Sequence, residues 1–126
     1  MYKNLTIITL LGALTVILGA FGAHALKETL SPEALQSFET AVRYQMYHVL
    51  LLIMVNLTEH FSIAFKRKIT WVFLIGILLF SGSIYAIYLG KIPVNYIWFV
   101  TPLGGLVLII GWFLLSYQLF KRSRGK

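Results

Sequence analysis

Long apolar stretches, separated by short charged segments, set the pattern of this chain. Four stretches lack Lys, Arg, Asp and Glu: 23 residues follow Lys3, 15 follow Arg43, 22 follow Lys68 and 29 follow Lys91. A helix needs about 20 mostly apolar residues to cross the ~30 Å hydrocarbon layer of a bilayer. Three stretches meet this length alone, and the second meets it with its flanks. The pattern therefore predicts four membrane-spanning helices, at about residues 5–25, 41–61, 69–89 and 95–120.

The make-up of these stretches favours helices inserted in lipid. The third contains twelve Leu, Ile, Val or Phe residues, which together contribute on the order of −4 to −7 kcal/mol to insertion. Inside lipid every backbone polar group needs a partner within the protein, and a helix supplies one. Strict alternation of polar and apolar residues is absent, which argues against a β-barrel.

A polar segment between the first and second predicted spans has a different pattern. Ser31, Pro32 and Glu33 are typical of a helix start, with a capping Ser, Pro at the first position and an acid in the first turn. Apolar residues recur on one side of residues 32–43 and polar residues on the other. This predicts an amphipathic interfacial helix that lies on the membrane or caps the bundle. No Gly or Pro interrupts residues 33–68, so the helix can continue into the second span.

The composition indicates an integral membrane protein. Of the 126 residues, 59% are hydrophobic and 12% are charged, which is too little polar surface for a soluble domain of this size. We expect one all-α domain over residues 1–126, with the four transmembrane helices in a compact bundle. The net charge of +7 comes from basic residues beside the predicted spans, so we expect no nucleic-acid partner. The chain has no cysteine, which excludes disulfides and thiolate chemistry.

Lys and Arg are unevenly divided between the two ends of the predicted helices. Eight lie in the terminal segments and the loop at residues 66–68, and three lie on the other side, at Lys27, Arg43 and Lys91. Because basic loops stay inside, both termini are predicted to be cytoplasmic. Residues 23–25 (AHA) also resemble a signal-peptide cleavage site. The preceding apolar run is too long for one and has a single lysine, so we interpret it as a span.

Polar residues collect near the predicted outer ends of spans one and two. They are His24, Arg43, Tyr44, Gln45 and His48. Because polar residues in membrane spans often mark functional sites, this set is a candidate pocket for a phosphate-bearing lipid, a quinone, a haem or a metal ion. The alternative is a hydrogen-bond network that seals the helix ends and fixes their register. Two histidines without a carboxylate or cysteine partner make a poor zinc site, so we expect neither metal nor cofactor.

The residues that catalysis would need are not recognisable in this sequence. No acid lies within the long spans, and no Ser/His/Asp arrangement, phosphate-binding Gly-rich loop or HExxH motif is present. We therefore predict a protein that is not an enzyme, with no catalytic residues.

Small residues recur on single faces of three predicted spans, where they allow another helix to approach closely. The predicted helix-packing positions are Gly12, Gly19, Gly22, Gly82, Ser83, Gly104, Gly105 and Gly111.

Several short motifs are similar to those of a known family. They are GAFGAH at residues 19–24, YQxxH at 44–48, FSGSxY at 80–85, TPxGG at 101–105 and GW at 111–112. In this order they resemble the bacterial membrane proteins of the domain of unknown function 423 family, of the YgdD and YwdK type, and their small eukaryotic transmembrane relatives. The resemblance extends over residues 12–112 and implies four spans and a plasma-membrane location. It implies no reaction.

Three classes of function remain open on the sequence. The leading expectation is non-enzymatic binding of a lipid or other amphiphile at the outer-leaflet polar pocket. A second is a structural or accessory subunit that contacts another membrane protein or copies of itself through small-residue faces. A third and weaker one is a haem-linked, quinone-linked or transport protein.

Overall fold

The computed structural model describes residues 2–125, and its regular elements are helices throughout that range. Helix α1 (Tyr2–Phe21) continues directly into a π-helical turn (Gly22–Leu26). Then follow α2 (Pro32–Leu57), α3 (Ile63–Tyr88), the single turn α4 (Val94–Ile97) and α5 (Val100–Arg124).

Two serines fix the starts of α2 and α3. The Ser31 hydroxyl accepts the N–H of Ala34 at 3.2 Å, and the Ser62 hydroxyl accepts the N–H of Phe65 at the same distance. Each bond satisfies an N–H that has no partner inside its helix. The predicted start at Ser31 is confirmed. The third helix begins at Ile63, before the predicted 69, because Ser62 caps it and the basic segment forms its first turns.

The predicted interfacial helix and the second predicted span are one helix in the structure. Helix α2 runs without interruption for 26 residues and ends at Leu57. The sequence placed an amphipathic segment at 32–43 and a span at 41–61, and it allowed the first to continue into the second, as the structure shows. Nothing in this segment breaks a helix once Pro32 has started it, so the apolar and amphipathic parts remain continuous.

Consecutive long helices pack antiparallel. On α1 and α2, Gly12 lies by Val49 and Gly22 lies by Phe38, so the two helices run in opposite directions. The same opposed order holds between α2 and α3, and between α3 and α5. Helix α3 packs against both α2 and α5, whereas α1 packs mainly against α2.

The main contacts therefore follow a row, α1–α2–α3–α5, and the predicted compact bundle is not confirmed. In the most apolar part of α3, 44% of residues are buried, against 17% in the spans that contain α1 and α5. A closed bundle would bury its members more evenly. The row leaves α1 and α5 at its edges, where one side of each helix faces its surroundings.

Three helical segments within residues 2–125 are long and apolar enough to cross a membrane. They are Tyr2–Leu26, Ile63–Tyr88 and Val94–Arg124. Helix α2 does not join them on composition, since its first half contains Glu33, Glu39 and Arg43. Of the four predicted spans, three are confirmed as helices of sufficient length and apolar composition, and the second predicted span is not.

Most of the predicted small packing residues lie between helices. Gly12 and Gly19 face valines of α2, and Gly22 faces the Phe38 ring. On α5, Gly104 is covered by the backbone of Leu79 and Phe80, while Gly111 meets the Phe73 ring.

The remaining predicted packing positions make contacts of other kinds. The Ser83 hydroxyl shares a hydrogen bond with that of Thr101, and Gly105 lies against the Phe80 ring. Gly82 meets only Leu78 of its own helix. Gly76 was not among the predicted residues, yet a Cβ there would lie 2.6 Å from Leu108.

Candidate functional site

Gln45 is the centre of a buried hydrogen-bond network that joins three helices. Its amide nitrogen donates to the Thr15 hydroxyl on α1 at 2.7 Å, and its amide oxygen accepts the Tyr85 hydroxyl on α3 at 2.7 Å. The Thr15 hydroxyl in turn donates to the Leu11 carbonyl. Gln45 is 2% exposed, and its bonding atoms are occupied within the protein. The network therefore fixes the register of α1, α2 and α3.

His48 lies one turn further along α2 and joins α2 to α5. Its Nδ1 is 2.6 Å from the Tyr44 carbonyl, and its Nε2 is 3.1 Å from Nε1 of Trp112. A carbonyl only accepts and an indole N–H only donates. The ring therefore carries its hydrogen on Nδ1, and Nε2 accepts. Neither nitrogen has a lone pair left for a metal ion or a haem iron.

The structure separates the five predicted site residues. Gln45 and His48 are buried, whereas His24, Arg43 and Tyr44 are exposed. Arg43 donates to Thr40 of its own helix at 3.2 Å. Among the described residues, no hydrogen bond joins His24 or Arg43 to Gln45 or His48. The five residues therefore share a depth but do not form one pocket.

A lateral groove lies between α1 and α3, with α2 as its floor. It has a volume of about 420 Å³. Its walls are aliphatic, and only Gln45 and Tyr85 contribute polar side chains. The lining residues are Ile7, Leu10, Leu11, Leu14, Gln45, Leu74, Ile77, Leu78, Gly82 and Tyr85.

A second, polar groove of about 240 Å³ lies where α1 and α3 begin. Its lining residues are Lys3, Asn4, Asn56, Ile63, Lys66, Arg67 and Trp71. Lys66 is 7% exposed and its Nζ donates to the Asn56 carbonyl at 3.0 Å. The Asn56 amide nitrogen donates to the Leu52 carbonyl and the Thr70 hydroxyl, each at 2.9 Å. Its Oδ1 is buried without a partner among the described residues.

The two grooves lie on the same faces of α1 and α3. On α1, Lys3 of the polar groove is one turn before Ile7 of the aliphatic groove; on α3, Trp71 is one turn before Leu74. Residues three or four apart share a helix face. The polar groove therefore lies in line with the aliphatic one, at the end where α1 and α3 begin.

Sequence reasoning did not single out Asn56 or Lys66. Asn56 is the one amide within the otherwise apolar residues 49–57, and a polar residue inside a span is a signal in itself. Lys66 was counted only as a loop charge, and its burial depends on the helix start set by Ser62. No group of three His, Cys, Asp or Glu residues able to hold a metal ion lies within residues 2–125.

Long apolar helices joined by buried polar contacts define an α-helical membrane protein. The chain belongs to the family described as Protein of unknown function (DUF423), whose profile matches residues 18–105. This confirms the resemblance seen in the short motifs.

Several relatives cover nearly the whole chain. A UPF0382 membrane protein of Haemophilus influenzae is 43% identical over 119 residues, 94% of each chain. The UPF0382 membrane protein YwdK of Bacillus subtilis is 39% identical, over 81% of this chain and 83% of its own. The UPF0382 inner membrane protein YgdD of Escherichia coli is 35% identical, over 90% and 86%. No solved structure matches the chain at comparable significance.

Proposed function

We propose that this membrane protein binds the acyl chain of a lipid in the aliphatic groove between α1 and α3, without catalysing a reaction. The observation that carries the proposal is the groove itself, open to the side of the helix row and lined by seven aliphatic residues and one glycine besides Gln45 and Tyr85. Its volume of about 420 Å³ falls within the range of roughly 300–1,000 Å³ of ligand pockets. In a bilayer, the molecules beside such an opening are lipids.

The two polar residues at the far end of the groove support an apolar ligand. Gln45 and Tyr85 hydrogen-bond to each other, and Gln45 also bonds to Thr15. Because these groups are already paired, a ligand has little polar chemistry to gain there. The groove therefore selects for a hydrocarbon chain over a polar headgroup at this end.

This proposal moves the lipid site away from the predicted outer polar pocket. Of the five residues of that pocket, only Gln45 lines the groove. Arg43 lines a separate cleft with Gly19 and Glu39. His48 is committed to Tyr44 and Trp112, which disfavours the haem-linked alternative as well.

The accessory-subunit alternative has lost its original support. It depended on small-residue faces in excess of what four helices need. Seven of the eight predicted positions contact other helices of this chain, and the remaining one, Gly82, lines the groove. The predicted small residues therefore support packing within this chain more than contact with a partner.

We further propose that α2 also crosses the membrane, which makes four spans with both termini in the cytoplasm. The support is geometric: α1 and α3 are each antiparallel to α2, so α2 must return the chain through the thickness that α1 has crossed. An even number of crossings leaves both ends on one side. The eight-to-three distribution of basic residues favours the cytoplasm for that side. The name of the Escherichia coli relative, an inner membrane protein, supports a plasma-membrane location.

The acyl-chain groove can be tested by filling it. A Cβ at Gly82 would meet only Leu78, at an ordinary 3.5 Å, so Gly82→Phe is expected to fold and to occupy the groove. Ile75→Phe, on the exposed side of α3 outside the groove, is the control. Native mass spectrometry of the purified proteins should show retained lipid in the wild type and the control, and at least several-fold less in Gly82→Phe. Equal retention in all three would contradict the proposal.

A further inference from the structure

The polar groove carries positive charge that none of its own residues neutralises. Three cations, Lys3, Lys66 and Arg67, line it, and none of the lining residues is acidic. Helices α1 and α3 both begin here, so the positive ends of two helix dipoles point the same way. Lys66 lies in the first turn of α3, which has no acidic residue. Cations at a helix start are unfavourable unless an anion lies nearby.

Two buried groups in this groove have bonding capacity left over. The Lys66 ammonium has three donors, and among the described residues it bonds to one acceptor, the Asn56 carbonyl. The Asn56 Oδ1 accepts no hydrogen bond there, although the side chain is 1% exposed. Turning the amide over would place its oxygen against the Leu52 carbonyl, so the orientation is fixed. Buried polar groups usually have partners, and both of these residues line the groove.

We infer that this groove binds the headgroup of an anionic, hydroxyl-bearing phospholipid of the phosphatidylglycerol class. Its phosphate lies among Lys3, Lys66 and Arg67, which supply charge-assisted hydrogen bonds. A headgroup hydroxyl donates to the Asn56 Oδ1. A zwitterionic headgroup fits less well, because its ammonium enters a groove that already holds three cations. A phosphate without a hydroxyl leaves the Asn56 oxygen unpaired.

The inference rests on the proposed acyl-chain groove, and the geometry joins the two. From Asn4 to Leu14 along α1, ten residues rise about 15 Å, which is half of the ~30 Å hydrocarbon layer. A lipid of one leaflet therefore reaches from the polar groove to the far end of the aliphatic one. Trp71 and Ile63 on the rim are exposed and offer apolar contact at the level of the headgroup, where Trp is common in membrane proteins. This favours a lipid over a soluble anion.

The test uses the full-length protein in detergent, titrated with lipids of identical chains and followed by native mass spectrometry. The lipids are phosphatidylglycerol, phosphatidylmethanol (the same charge without a hydroxyl) and phosphatidylcholine. Phosphatidylglycerol should bind most tightly. Arg67→Gln should weaken it about tenfold, the effect of losing one charged hydrogen bond. Lys68→Gln, the same charge change one residue on and outside the groove, should leave it unchanged.

Asn56→Leu provides the second arm, since it removes the acceptor for the hydroxyl and leaves the three cations in place; it also removes the amide's bonds to Leu52 and Thr70. It should bring phosphatidylglycerol down to the affinity of phosphatidylmethanol. The exposed Arg67 keeps the test decisive if the Asn56 variant does not fold.

Several outcomes would overturn the inference. Equal affinity for the three lipids would contradict the proposed headgroup site. Equal effects of Arg67→Gln and Lys68→Gln would contradict it as well. If Gly82→Phe still lowered lipid retention, the acyl-chain groove would stand without it. Displacement of lipid by glycerol 3-phosphate at equal concentration would identify a soluble anion as the ligand and exclude the lipid. Loss of lipid selectivity together with unchanged retention in Gly82→Phe would reject both proposals.

Discussion

Trp112 on α5 donates its indole N–H to Nε2 of His48 on α2 across 3.1 Å. The two helices have little direct packing between their backbones, so this bond and the Phe73 ring between them connect α2 to α5. The bond also fixes the imidazole as a neutral ring with its hydrogen on Nδ1. One interaction therefore sets both the helix arrangement and the chemistry that His48 has available.

The His48–Trp112 bond should contribute measurably to stability. Trp112→Phe leaves the imidazole acceptor unpaired, and His48→Leu leaves the indole donor unpaired. We expect a coupling of about 0.5–1.5 kcal/mol between the two, as for other hydrogen bonds between membrane helices. A double-mutant cycle by unfolding in mixed micelles measures it. Strict additivity of the two single variants would show that the bond contributes nothing.

The same bond predicts how the protein responds to haem. Because both nitrogens of His48 have partners, the ring cannot ligate iron without breaking the contact with Trp112. Haemin added to the purified protein should give the same Soret spectrum with the wild type and with His48→Leu. A His48-dependent shift of the Soret maximum would revive the haem-linked alternative.

Neighbouring glycines on α5 should respond very differently to one added methyl group. A Cβ at Gly104 would lie 2.6 Å from the carbonyl carbon of Leu79, and backbone cannot move aside without separating α3 from α5. A Cβ at Gly105 would lie 3.7 Å from the Phe80 ring, an ordinary contact. Gly104→Ala should cost at least about 1–3 kcal/mol, as overpacking does, and Gly105→Ala much less. Thermal unfolding of the two purified variants tests this, and similar melting temperatures would contradict it.

The sequence predicted the apolar helices well because insertion into lipid depends on length and composition alone. The start of α2 was also readable, since Ser31 and Pro32 act locally. The arrangement of the helices could not be predicted from the sequence. Composition gives the same four apolar stretches for a ring and for a row, and the choice depends on contacts such as Gly104 against Phe80, which are 24 residues apart in the chain.

The candidate site was likewise predicted only in part. The sequence placed His24, Arg43 and His48 at one depth, but depth does not determine which side of a helix a residue faces. Successive helix residues turn by about 100°, so Arg43 and Tyr44 are exposed while Gln45 is buried. Gly76 was missed because its role comes from Leu108 on α5 and not from any spacing of small residues along α3.

A substitution at the centre of the Gln45 network should lower stability more than a substitution at its edge. Gln45→Leu removes the bonds to Thr15 and Tyr85 together and leaves the Tyr85 hydroxyl without its acceptor. Tyr85→Phe removes one bond and leaves only the Gln45 oxygen unpaired. We expect a loss of about 1–3 kcal/mol for Gln45→Leu and about half of that for Tyr85→Phe. Unfolding in mixed micelles measures both, and a larger loss in Tyr85→Phe would place the centre of the network elsewhere.

The proposed topology can be mapped with single cysteines, because the native chain has none. Tyr2, Glu33, Lys91 and Ser123 are all exposed and lie at the ends of helices or between them. With four crossings, a membrane-impermeant maleimide should label Glu33→Cys and Lys91→Cys in intact spheroplasts, since both lie outside. Tyr2→Cys and Ser123→Cys should react only after lysis.

Lysed spheroplasts of each cysteine variant provide the labelling control. If α2 did not cross, an odd number of crossings would place Tyr2→Cys and Ser123→Cys on opposite sides, and exactly one of them would react before lysis. Labelling of both before lysis would instead show the opposite orientation, with both termini outside. The polar groove would then face the outer leaflet, where the headgroup available to Lys66 and Arg67 has to be sought.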